Sequence, residues 1–275
     1  MSSSNECLCD TKISTIEVCK YELGTKYPEI GNGDESTVYN YNDKYAIKIF
    51  SLFRTLDYFY GEALKRKFQK IERMSSLKDE AFCFPLGLVG FETKLKEGCY
   101  TNLVKCHQEL KSFKGLLSLY DKNKVLEYIL KADSAMKRIH TKDVIIGDIK
   151  NSNILIDINN NIKFIDTDNY VYQDFGFDLY PDRANLLTEK YGKCSSLKDN
   201  DIFVFSIMAL NILTENEFFV LSKTIDDLNT IIKNLNVDKK TKEGLSIIFS
   251  DSENKPYFGE VFSKMKSNQK LIMNY

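Results

Sequence analysis

The chain has 275 residues, and its 38 Lys and Arg against 39 Asp and Glu leave a formal net charge of −1. With 43% apolar residues it can bury a globular core, as one two-lobed domain or two small ones. The near-zero charge, with acids and bases interleaved, argues against a nucleic-acid partner held by bulk electrostatics, and the chain lacks an apolar run of the roughly eighteen residues that a membrane span needs.

The start, Met1-Ser2-Ser3-Ser4-Asn5, is polar and lacks the apolar stretch of a secretory signal. Seven cysteines, an odd number without a disulfide-like framework, point to a reducing compartment, here taken as the cytoplasm. Cys7, Cys9 and Cys19 find no fourth ligand at zinc spacing, so free thiols in an N-terminal extension, residues 1–20, are the simpler reading. His107 and His140 are the only histidines, which excludes His-rich metal chemistry.

Along the chain, Ile30-Gly31-Asn32-Gly33-Asp34-Glu35-Ser36-Thr37-Val38 places two glycines between predicted strands. Glycines there let the backbone approach a triphosphate and offer it N–H groups. A plain hairpin turn explains the pair better when it is taken alone. Val38 is suited to packing on a purine. Thr37–Tyr41 and Tyr45–Phe50, separated by Asn42-Asp43-Lys44, predict a β-hairpin. Lys48 lies inside that second apolar run, where an ammonium is costly unless it is paired or serves a ligand; an edge-strand lysine facing solvent is the alternative. Thr55–Ser76 has helical spacing, with Glu62, Lys65, Lys67, Glu72 and Arg73 on polar positions. Glu62 is the candidate partner for Lys48, and Glu72 the fallback. Runs at Phe84–Val89 and Cys99–Val104 predict returning strands, completing a small β-rich layer with one important helix.

After His107 the character changes. Val125–His140 predicts an amphipathic helix with Leu126, Ile129, Leu130, Ala135, Met136 and Ile139 on its apolar face. Short strands are expected around Ile154–Ile156 and Ile162–Ile165. Ile202–Leu213 is almost entirely apolar and predicts a helix buried on all sides. The expected fold class is α+β in two lobes: a small β-rich lobe over residues 21–105 and a larger, mainly helical one over 106–275, with a hinge near 104–108.

The chemistry concentrates in Gly147-Asp148-Ile149-Lys150-Asn151-Ser152-Asn153 and Ile165-Asp166-Thr167-Asp168. Phosphoryl transfer from a metal-bound nucleoside triphosphate needs a base for the acceptor, a cation for the phosphates and oxygen ligands for magnesium. Asp148 suits the base, Lys150 the cation, and Asn153 and Asp166 the metal ligands. Asp168 is placed to meet a second metal or a water. Any one of these has a plainer explanation in a turn, where Asp and Asn are frequent. Their coincidence, in this order, does not.

Together these segments resemble the eukaryotic-like Ser/Thr protein kinases, of the kind found in bacteria or viruses, over roughly residues 21–265. Gly31 and Gly33 resemble the glycine-rich loop, with Ser36 where a third glycine is usual, and Ala46-Ile47-Lys48 resembles the Val-Ala-Ile-Lys strand. Met136–His140 is similar to the end of the helix before the catalytic loop. Asp148–Asn153 matches Asp-Leu-Lys-x-x-Asn, and Asp166-Thr167-Asp168 stands in the place of Asp-Phe-Gly. Asp199–Ser206 resembles the Asp-x-Trp-Ser segment, Tyr180-Pro181-Asp182 the Pro-Glu step, and Asp251–Pro256 the late Asp-Pro-x-x-Arg-Pro motif.

The resemblance implies ATP and magnesium as cofactors and a protein substrate bearing Ser or Thr hydroxyls. Lys150 follows the catalytic Asp at the Ser/Thr-kinase spacing. ATP would be met by Gly31, Gly33, Val38, Ala46, Lys48 and Glu62; Asp148, Lys150 and Lys48 would be catalytic; Asn153 and Asp166 would hold the metal. Asp201 would brace the catalytic loop, and Asp182 would pair with Lys255 in place of the family's Glu and Arg. Ile146-Gly147-Asp148 lacks the Arg that receives an activation-loop phosphate, so activity independent of such phosphorylation is expected. Two other readings stay open. Gly147-Asp148 and Ile165-Asp166 are shared with small-molecule phosphotransferases of the aminoglycoside and choline kinase type. The altered Asp166-Thr167-Asp168 is compatible with a nucleotide-binding pseudokinase scaffold.

Overall fold

The computed structural model describes residues 14–33, 36–50, 60–91, 96–105, 120–176, 196–214 and 225–262. Two compact units result. The first comprises Met1–Leu77 with Phe84–Leu103, the second Lys78–Cys83 with Val104–Tyr275.

The first unit holds a six-stranded sheet of β1 (Ser14–Val18), β2 (Glu29–Asn32), β3 (Ser36–Tyr41), β4 (Tyr45–Phe50), β5 (Gly87–Phe91) and β6 (Lys96–Asn102), in the order β1-β5-β6-β4-β3-β2. Every neighbouring pair is antiparallel except β1 with β5. The predicted β3–β4 hairpin forms because its turn residues tolerate left-handed backbone: Asn42 and Asp43 have φ of 56° and 54°. Asn40 clamps the turn, donating from Nδ2 to Asp43 at 2.7 Å and accepting from the Asp43 amide at 3.0 Å.

Alternation along β4 sorts its side chains to two faces. Ile47 and Ile49 pack with Val18, Tyr27, Val89, Phe91 and Tyr100. Phe50 points the other way, with Leu88 and Cys99, onto Leu64, Phe68 and Ile71 of helix α1 (Tyr60–Met74).

Two expectations need correction here. Ser14–Val18 is not part of a loose extension: Ile16 and Val18 alternate with polar residues, and Val18 is buried in the sheet core. Lys67, expected on the polar face of α1, is 2% exposed, because its position falls between Leu64 and Ile71 on the inner stripe. Its ammonium lies 4.6 Å from the centre of the Phe50 ring.

The second unit is mainly helical. Helix α2 (Lys122–His140) starts at Asp121, whose carboxylate accepts from the amides of Asn123 and Lys124 at 2.9 and 3.0 Å, a cap worth about 1 kcal/mol. Its buried stripe is Val125, Tyr128, Ile129, Ala132, Ala135, Met136 and Ile139, while the expected Leu126 and Leu130 sit at its half-buried margin. Helix α3 (Leu197–Thr214) is buried on nearly all sides from Asp199 onward, as its apolar run predicts. Helices α4 (Ile225–Asn234), α5 (Lys239–Ile248) and α6 (Phe258–Phe262) follow. Two small ladders carry the loops of interest: β7 (Val144–Ile145) pairs with β10 (Val171–Tyr172), and β8 (Ile154–Ile156) with β9 (Ile162–Phe164). The chain is thus a mixed α/β protein, with a β-rich first unit and a helical second one. Among the described residues, no helix is long and apolar enough to cross a membrane.

Candidate functional site

In the first unit, strand register places the candidate nucleotide-binding residues. Val38 lies opposite both Gly31 and Lys48, and Lys48 opposite Cys99. Directly opposed residues project to the same side of a sheet, as do residues two apart in a strand. Gly31, Val38, Ala46 and Lys48 therefore share the face that also carries Phe50 and receives α1. Val38, Ala46 and Lys48 are each half-buried. At the turn between β2 and β3, the Gly33 amide donates to the Ser36 carbonyl at 3.0 Å, and Ser36 is buried. Glu62 lies in the first turn of α1, with its side chain outside the described residues; Glu72 lies on the exposed side of that helix.

In the second unit, β7 delivers the chain to Ile146 and Gly147, and Gly147 turns it with a φ of 71°, a conformation that a side chain would strain. Three groups then meet. Lys150 Nζ donates to Asp148 Oδ2 at 2.6 Å, and Asn153 Nδ2 donates to the Asp148 carbonyl at 3.1 Å and to its Oδ2 at 3.3 Å. Asp148 and Lys150 are partly exposed, while Asn153 is buried where the loop enters β8. The Ile165 amide donates to the Asn153 carbonyl at 2.9 Å, which sets Asp166 beside that loop. Asp166 itself is left-handed, with φ 63° and ψ 36°. Asp168 is 3% exposed, in the short helical turn that follows.

The loop is held from outside by Asp201 on α3. This carboxylate accepts from the Ile146 amide at 2.7 Å and the Gly147 amide at 2.8 Å, and lies 2.9 Å from His140 Nε2. His140 Nδ1 is in turn 2.9 Å from the Tyr257 hydroxyl. Asp201 and His140 are both buried, so the carboxylate tolerates burial through three partners. Lys255 is also buried; its amide donates to Asp199 Oδ1 at 3.0 Å and its ammonium to the Ser250 carbonyl. Asp182, its expected partner, lies outside the described residues, as does the rest of 177–195.

Sequence reasoning missed three buried polar residues of this unit. His140 falls four residues after Met136, on the buried stripe of α2, and that spacing could have marked it as an internal bond former. Asp133 sits on the same stripe and accepts from the Phe258 and Gly259 amides at 3.1 and 2.9 Å; burial pushes its carboxyl up to about 6 against the pull of those bonds. Tyr170 is fully buried, with no bond to its hydroxyl among the described residues. Burial, then the charges of Asp201 and Asp166, keep that phenol protonated well above its ordinary range.

Asn153 and Asp166 offer hard oxygen donors, and because the Asn153 amide nitrogen is turned to Asp148, its side-chain oxygen is the atom that could meet a cation. Among the described residues, no three His, Cys, Asp or Glu side chains gather as a closed metal site. The donor set fits magnesium, which characteristically takes one or two protein oxygens and completes its shell with phosphates and water. Compared with known proteins, the chain matches no protein-family model and no curated protein.

Proposed function

We propose that the chain is an ATP- and magnesium-dependent protein kinase that transfers the γ-phosphoryl group to Ser or Thr hydroxyls, in a cytoplasmic setting. The observation that carries this reading is the convergence on Asp148: a lysine ammonium and an asparagine amide contact one carboxylate oxygen, beside the turn bearing Asp166. That is the group set phosphoryl transfer requires, and the bonds from Asp201 hold its backbone in place.

Asp148 takes the proton of the acceptor hydroxyl, and its partial exposure leaves the carboxylate accessible to that hydroxyl. Lys150, bonded to the same carboxylate, steadies it and meets the negative charge of the transferred group. Asn153 and Asp166 would hold magnesium, which would supply charge neutralisation at the phosphate oxygens. In the first unit, Lys48 binds phosphate oxygens, the Gly31–Gly33 turn, with open space around Gly33, lets the backbone approach them, and Val38 and Ala46 give the base an apolar surface.

The test is transfer of labelled γ-phosphate from Mg·ATP to the chain itself and to a mixed Ser/Thr protein substrate, with Asp166→Asn beside the wild type. Label on Ser or Thr that vanishes in the variant is the expected result. ATP binding without label on protein would turn the reading toward a small-molecule acceptor or a scaffold.

A further inference from the structure

We propose that Thr167 is a positioning residue: its hydroxyl, bonded to the Cys83 carbonyl, holds Asp166 in the backbone conformation that presents its carboxylate to magnesium. The proposal rests on the kinase reading above and adds to it a residue at which the chain departs from the family it resembles.

Asp166 occupies left-handed backbone space, which residues with a side chain hold when the surrounding structure dictates it. Cys83 dictates it from both ends. The Cys83 amide donates to the Phe164 carbonyl at 2.9 Å, two residues before Asp166, and the Cys83 carbonyl accepts from Thr167 Oγ1 at 2.8 Å, one residue after it. The stretch from Phe164 to Thr167 is thus a short arch with both feet on one residue. Further bonds fix the feet. Phe164 donates its amide to the Ala81 carbonyl at 2.6 Å, and the Phe82 ring stacks on Phe164 at 4.6 Å. On the far side, the Tyr170 amide donates to the Thr167 carbonyl at 3.2 Å, and the Tyr170 ring meets Phe82 edge-on.

Thr167 is 1% exposed, so no solvent replaces its bond if the hydroxyl is lost. A phenylalanine, the family's usual residue at this position, could fill space there but could not make the bond. Without it, the arch loses its tie on the far side of Asp166 and keeps the Phe164 and Ile165 bonds before it, so Asp166 gains freedom to move from its left-handed conformation. Groups that orient a metal ligand from behind typically change metal affinity by roughly 10–100-fold when removed.

The experiment measures Mn²⁺ binding to the full chain, with a non-hydrolysable ATP analogue present, by electron paramagnetic resonance. It compares wild type, Thr167→Val, Thr167→Ser and Asp166→Asn, and amide exchange over 163–170 is followed on the same samples. Thr167→Val keeps the shape and loses the hydroxyl; it should weaken Mn²⁺ by about tenfold and speed exchange across the arch. Thr167→Ser keeps the hydroxyl and should bind within about twofold of wild type. A Val variant that binds Mn²⁺ like wild type, while Asp166→Asn does not, would overturn this proposal and leave the kinase reading standing. If the Val variant does not fold, the Ser variant decides alone: a tenfold loss there shows that the hydroxyl is not what matters. A wild type that takes up no Mn²⁺ with the nucleotide defeats both readings together.

Discussion

Val38, Ala46 and Lys48 owe their common face to strand register, whereas Asp148, Lys150 and Asn153 owe their meeting to a carboxylate, Asp201, that bonds their loop from another element. The first arrangement is spread over many ladder bonds, so no one side chain holds it. The second is concentrated, and one buried residue governs where the loop sits. The two units should therefore fail differently. Remote side chains matter in the second, and in the first only what comes between strands.

The largest effect expected is on chemistry. Asp148→Asn should slow phosphoryl transfer by about 10²–10⁴-fold, the usual scale of general-base catalysis, while leaving nucleotide affinity near wild type. Steady-state rates set beside a binding titration check this, and an undiminished rate would remove Asp148 from its assigned role.

Next comes Asp201→Ala, which touches none of the candidate catalytic groups. It leaves two backbone amides and His140 without their acceptor in a buried place. Each buried donor left unsatisfied costs on the order of 1–3 kcal/mol. At this chain length each kcal/mol moves the melting temperature by roughly 2–4 °C. Transfer should fall as well, because Asp148 follows directly on the freed amides. Melting and activity both close to wild type would mean that the loop holds itself.

Asp133 uses the same device with fewer partners, two amides and no imidazole, and so bears more of the cost of burial. Its carboxyl is raised from 3.8 to about 6, a difference worth roughly 3 kcal/mol. The folded chain then binds a proton that the unfolded chain releases between pH 4 and 6. This contribution is full below the unfolded value and is lost as pH rises through about 6. Compared with Asp133→Asn, the wild type should lose stability steadily from pH 4 to 6 in denaturant titrations. A constant difference between the two would show that the carboxyl does not titrate in that window.

Legibility in the sequence follows the same division. Strands and helices announce themselves by periodicity, so the β3–β4 hairpin, α2 and the buried α3 could be read directly. Period-two alternation in Thr15-Ile16-Glu17-Val18 is too short to stand out from a polar start, so in the sequence β1 reads as part of an extension. Lys67 reads as a surface residue by type, and only its position between Leu64 and Ile71 points inward. In the loops, residue order brought Asp148, Lys150 and Asn153 to notice as a group. The bonds from Thr167 to Cys83, 84 residues apart, and from His140 to Asp201, 61 apart, were not legible, because they depend on tertiary pairing of segments with no shared local pattern.

The smallest effect expected belongs to the first unit, at Gly98 in β6. A β-carbon there would stand 2.1 Å from the carbonyl oxygen of Lys48 and 3.2 Å from Ile49 Cδ1, so β6 lies this close to β4 only because residue 98 has no side chain. Gly98→Ala must push the two strands apart at Lys48 itself, at a cost of about 1–3 kcal/mol, the usual range for overpacking. The displaced Lys48 should weaken nucleotide binding, while Asp148, Lys150 and Asn153, in the other unit, keep their bonds. Amide exchange separates the two responses: β4 and β6 should lose protection, and the segment 146–153 should not. If 146–153 loosens equally, placement in the two units is not independent, and the contrast between register and buried brace does not hold.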